Sequence, residues 1–99
     1  MLIAAESTEN VFFPFTANVD TATITCEVAI VRDGARPSEA DDDEAGDWHA
    51  TEIVDGEAVL LIGPDGGALA LKPGVYGMWV RIRDHDEVPV ERVGVLTVY

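Results

Sequence analysis

The chain has 99 residues, 47% of them apolar, with six Lys and Arg against nineteen Asp and Glu for a formal net charge of −13. That length makes one domain around one core, the apolar content excludes a disordered acidic tail, and the charge repels phosphate, which argues against nucleic acid and anionic membranes as partners. The single cysteine, Cys26, excludes an internal disulfide or a multi-thiolate metal site, and the longest apolar run, Ala58 to Ile62, is too short to make a membrane helix.

Taken in chain order, the elements are strands. The front of the chain carries Glu6 and Glu9 and no base before Arg32, the wrong charge for a secretory leader. Val11 to Thr16 reads as a strand whose Pro14 places it at a sheet edge or a bulge. From Ala22 to Arg32 the residues alternate: Ile24, Cys26, Val28 and Ile30 take one face, and Thr23, Thr25, Glu27, Ala29 and Val31 take the other. This is the period of a half-buried antiparallel strand, and it makes Cys26 a small core residue. Trp48 to Val54 and Glu57 to Gly63 are strands joined by the Asp55-Gly56 turn. Pro64 to Gly67 turns the chain into a short strand, Ala68 to Leu71, which ends at Pro73-Gly74. Val75 to Arg83 alternates again, with Tyr76, Met78, Val80 and Ile82 inward and Gly77, Trp79, Arg81 and Arg83 outward. Asp84 to Glu87 turns the chain into a last strand, Val90 to Tyr99. No window shows helical spacing with start and stop signals. About seven strands at roughly ten-residue spacing predict an all-β, immunoglobulin-like antiparallel sandwich as a single domain over residues 1–99.

The acidic stretch from Glu39 to His49 holds six of the nineteen acids. Against the EF-hand pattern, Asp41, Asp43, Gly46 and Glu52 fall in register, but Ala45 supplies no side-chain oxygen and a strand, not a helix, follows. No bulky apolar residue lies between Arg36 and Ala45 to offset ordering, so residues 33–47 read as a mobile, solvated excursion with no metal assigned. Trp48 marks the return to the core. The two histidines, His49 and His85, stand beside carboxylates in polar segments and read as solvated. Ser7 and Ser38 lack a nucleophile elbow, and the Gly63 to Gly67 turn lacks the Lys and the helix of a phosphate loop. The expectation is a non-enzyme without cofactors or metals.

The outward face of the Trp79 strand carries the functional expectation. A four-residue turn at Asp84 to Glu87 pairs Arg83 with Val88, Arg81 with Val90 and Trp79 with Arg92. Directly opposed residues share a face. Trp79, Arg81, Val90 and Arg92 then form one outward patch, with Leu96 further along it. The same register turns Glu91 inward, and a bulge there would shift the faces. Trp and Arg are favoured interface anchors, and the competing arrangement lays Trp79 over its own sheet beneath an arginine.

The segment Leu71 to Asp84 resembles the Leu-x-Pro-Gly-x-x-Tyr stretch of fibronectin type III and related immunoglobulin-like domains, with Tyr76 one residue early. More widely, residues 47–99 resemble small proteins from the structural-gene region of tailed phages of actinobacteria. The similarity is carried by Asp47-Trp48, Gly63-Pro64, Leu71, Pro73-Gly74, Tyr76, Trp79-Val80, Asp84, Glu87, Pro89-Val90 and, with Val95 variable, Gly94 to Val98. The chain departs from that group at Asp65 and in its acidic loop. The resemblance implies a phage virion structural protein without catalytic residues. The expected role is a head-associated accessory, as capsid decoration or near the head–tail connector. Its expected partners are other virion proteins, namely the major capsid or connector proteins, and further copies of itself. Its expected location is the virion, assembled in the host cytoplasm. The alternative is a tail or baseplate adhesion module that binds a host-surface glycan, for which Trp48 or Trp79 would have to form an exposed aromatic platform.

Overall fold

The structure is a computed structural model that describes residues 1–14, 25–37, 47–54, 56–83 and 88–99. It is all-β, with β1 at Leu2–Ile3, β2 at Glu9–Pro14, β3 at Thr25–Arg32, β4 at His49–Val54, β5 at Glu57–Ile62, β6 at Gly74–Arg83 and β7 at Val90–Val98. The hydrogen-bonded order is β1-β7-β6-β3-β4-β5-β2, one continuous seven-stranded sheet. Among the described residues no helix is long and apolar enough to cross a membrane.

Continuity depends on β4. Its first half, His49 to Thr51, pairs with β3, and its second half, Glu52 to Val54, pairs with β5. One strand thus belongs to both layers, so the sheet rolls over on itself instead of stacking as two separate sheets. β2, at the far end of the order, comes against β6 and β7 and brings the roll toward a barrel. Where β4 changes partner, the Thr51 hydroxyl takes over the role of the ladder. It donates to the Val59 carbonyl and accepts from the Val59 N–H at 3.2 Å.

The alternation expected of the long strands is what fills the roll. Cys26, Val28 and Ile30 of β3 meet Met78, Val80 and Tyr76 of β6, and Val11, Phe13, Ala58, Leu60 and Ile62 close the core from the other layer. Burial, and then the neighbouring Glu27 charge, push the Cys26 thiol up to about 11. Pro14 lies on β2, the strand at the end of the described sheet order, where its missing N–H interrupts no interior ladder. The β4–β5 hairpin closes at Val54 opposite Glu57, with Gly56 at a φ of 80°. Gly63 has a φ of 140°, and a Cβ there would lie 2.4 Å from the Ser7 carbonyl oxygen, so only glycine fits.

Four expectations change. The strand count agrees, but its membership does not. Ala68 to Leu71 contributes a single bridge, Ile62 to Leu69, in place of a strand. The chain's start supplies β1 instead. β1 pairs parallel to β7, so the sheet is not wholly antiparallel. Buried Ile3 holds it to the core. Finally, Met78 pairs with Gly94 while Trp79 pairs with Arg92, which leaves Val93 as an extra residue in β7. That bulge reverses the faces of the rest of the strand. Leu96 and Val98 therefore point into the core, with Leu96 fully buried opposite Tyr76, and Leu96 does not extend the outward patch.

The acidic loop from residue 38 to 46, with the EF-hand positions Asp41, Asp43 and Gly46, lies outside the described residues. So do Ile24, Asp55 and the 84–87 turn with His85.

Candidate interaction surface

Between the turn and the bulge, the β6–β7 register is the expected one: Arg81 stands opposite Val90 and Trp79 opposite Arg92. Glu91 falls opposite Val80 but lies exposed. The four candidate residues are brought together on one outward face. Their exposure divides them: Val90 and Arg92 are open to solvent, while Trp79 is only 8% and Arg81 only 7% exposed.

The cover comes from the chain itself. On β3, Glu27 lies opposite Arg81. The arginine grips its carboxylate with two donors, Nη2 to Oε2 at 2.9 Å and Nε to Oε1 at 3.2 Å. Arg83 adds a third contact, Nε to Oε1 at 2.8 Å. The Arg81 guanidinium also sits 4.4 Å from the centroid of the Trp48 ring. One arginine is therefore held by a forked charge-assisted pair in the sheet and by an aromatic face outside it. Burial alone would push the Glu27 carboxyl up. The hydrogen bonds and positive charges of Arg81 and Arg83 outweigh burial and hold it below the usual carboxylate range.

Trp79 lies one row along, opposite Ala29, which is fully buried. The Arg36 guanidinium stands 5.3 Å from its ring centroid. Arg92, across the β6–β7 pair, reaches Asp33 at 2.7 Å. Gly77 makes the space for this layer, because a Cβ there would lie 3.0 Å from the Trp79 indole nitrogen and 3.4 Å from Arg92 Cζ. The two segments that flank the acidic loop, Asp33 to Arg36 and Trp48, thus fold down over the β3–β6–β7 face. Trp79 lies over its own sheet with an arginine stacked on it, and Trp48 has a ring face taken by Arg81. Trp79 is thus covered by its own chain, and Trp48 is half-buried. Among the described residues, neither buried indole N–H meets a hydrogen-bond acceptor.

Sequence reasoning did not single out Glu27. A faint signal was present: one acid on an outward strand position, and arginines at spacing two on a later strand. Nothing local shows that β3 and β6 are neighbours, since residues far apart in the chain make that pair.

The remaining chemistry is sparse. His49 is half-buried opposite Val28. Among the described residues no three His, Cys, Asp or Glu side chains are grouped to hold a metal ion. A shallow, open groove lined by Ala50, Thr51, Glu52 and Val59 marks the place where β4 changes partner. No family model matches the chain, and no curated protein or solved structure matches it either.

Proposed function

We propose that this chain is a structural protein of a tailed-phage virion: an immunoglobulin-like, non-enzymatic module that works by protein–protein assembly. Its place is the head, as capsid decoration or near the head–tail connector, with major capsid or connector proteins and further copies of itself as partners. It is made and assembled in the host cytoplasm.

The strand order supports the immunoglobulin-like part of this reading. Immunoglobulin constant-type domains order their strands A-B-E-D and C-F-G. Lettered A to G in chain order, β2-β5-β4 reproduces B-E-D and β3-β6-β7 reproduces C-F-G. The departures are β1, which joins G instead of B, and β4, which also pairs with C. Tyr76 adds a second support. Its hydroxyl donates to the Lys72 carbonyl at 2.6 Å, at the start of the strand equivalent to F, where the tyrosine corner of such domains occurs.

The observation that carries the virion reading is the structural role of the residues shared with the phage group. Pro73-Gly74, Tyr76, Trp79-Val80, Val90 and Gly94 to Val98 build a single unit, the bulged β6–β7 pair with its tyrosine clamp. This part of the shared pattern falls in one contiguous unit of the fold, which supports reading its residues together. The test is quantitative mass spectrometry of purified virions carrying the gene for this chain. Copy numbers comparable to the major capsid protein mean decoration, and a single ring's worth means the connector or tail. Absence from the particle refutes the proposal.

A further inference from the structure

The two outward faces of the roll differ in a way that assigns one of them a partner. The β3–β6–β7 face is covered by Trp48, Trp79 and Arg36, and its arginines meet Glu27 and Asp33. Among the described residues, nothing covers the opposite face, on β2, β5 and β4, and no counter-charge meets it. Its register places Asn10 beside Leu61, then Phe12 beside Val59 and Glu52, then Pro14 beside Glu57 and Val54. Phe12, Leu61 and Val54 are 41%, 39% and 42% exposed. Adjacent large apolar groups held in water across three paired strands are a feature of interaction surfaces.

The chain has six bases: Arg32, Arg36, Lys72, Arg81, Arg83 and Arg92. None of them lies on β2, β4 or β5. Among the described residues, the charged groups that share this outward register with the exposed apolar residues are the carboxylates of Glu52 and Glu57. We propose that this face is a docking surface for a positively charged protein segment, one that presents aliphatic side chains to Phe12, Val59 and Leu61 and Lys or Arg to Glu52 and Glu57. A second copy of the chain is excluded by the same charges, because a two-fold contact through this face sets the acidic surface against itself. Nucleic acid is excluded likewise. The inference stands on this face alone and does not depend on the virion reading.

The test uses the full chain, isotopically labelled, titrated by NMR with a short synthetic peptide that alternates leucine and lysine. A matched peptide alternating leucine and glutamate serves as the control. The expected result is saturable binding of the lysine peptide with its footprint on Phe12, Val59 and Leu61, and no binding of the glutamate peptide. Phe12→Thr with Leu61→Thr weakens binding by about tenfold or more, as interface anchors do. Glu52→Gln with Glu57→Gln weakens it and removes its salt dependence. Threonine keeps the strand preference of these positions, and melting curves of each variant confirm folding. Leu2→Thr, at an exposed apolar residue on β1, leaves binding unchanged. A footprint centred away from this face, binding insensitive to the Phe12 and Leu61 changes, or no saturable binding overturns the proposal. So does a concentration-dependent dimer in sedimentation that Leu61→Thr abolishes, which assigns the face to self-association.

Discussion

Replacing Trp79 by alanine tests the arrangement of the outward face directly. If the ring served only as an exposed anchor, the free protein would scarcely notice its loss. The structure places it under Arg36, across from buried Ala29 and beside Gly77, with 8% exposure. Truncation of a covered tryptophan costs about 3–5 kcal/mol. The lower end applies here, because the cover is one arginine and a neighbouring strand, and because the indole N–H has no acceptor among the described residues to lose. About 3 kcal/mol is a large share of the roughly 5–15 kcal/mol that holds a domain folded. For a chain of this length each kcal/mol moves the melting temperature by roughly 4–8 °C, so the expected fall is roughly 12–24 °C. Trp79→Phe separates packing from hydrogen bonding. It keeps an aromatic ring beneath Arg36 and removes a donor that has no acceptor among the described residues, so it should cost about 1 kcal/mol or less. The assay is calorimetric melting of both purified variants beside the parent. An alanine variant that melts within a degree or two of the parent refutes the covered arrangement and returns Trp79 to the role of a free anchor.

Three further outcomes follow from the same geometry. Ile30→Ala and Val80→Ala, both inward on paired central strands, should each lose roughly 2–4 kcal/mol in urea unfolding. Thr25→Ala, exposed at the start of β3, should lose under about 1 kcal/mol; the opposite ranking would mean that the β3 register is off by one. Gly63→Ala brings a Cβ against the backbone of Ser7 and Thr8 at a left-handed φ, and should cost at least about 2 kcal/mol. Gly66→Ala, with a positive φ but open space, should cost less, and equal losses would show that the close approach does not matter. Glu27 has a carboxyl held below its usual value. Its contribution is therefore fully present above the unfolded-state value of 4.5 and is lost as pH falls through the lower folded-state value. Glu27→Gln should accordingly destabilise the protein at neutral pH, with a deficit that shrinks below about pH 4. A deficit unchanged down to about pH 2 would show that the charge of Glu27 contributes nothing to stability.

Much of the frame is written in the local pattern. A period of two over Cys26 to Ile30 and over Tyr76 to Ile82 determines which side chains face inward, because successive residues of a strand point to opposite faces. The turn glycines determine where strands end, and Pro14 which strand can sit at an edge. The facing of Trp79 to Arg92 and of Arg81 to Val90 was legible too, since a short connection between two strands sets their register. Alternation assigns a residue to a face, however, and says nothing of what lies on that face. Whether Trp79 and Arg81 meet solvent depends on Arg36, Trp48 and Glu27, which reach them only through a β3–β6 pairing between distant parts of the chain. The side taken by Leu96 depends on one extra residue at Val93, and both faces of that strand are apolar enough to hide the slip. β1 is too short to show a period at all, and a strand such as β4 that serves two neighbours looks in sequence like any other. Local preference sets the faces; the long-range pairing of strands decides what lies on each of them.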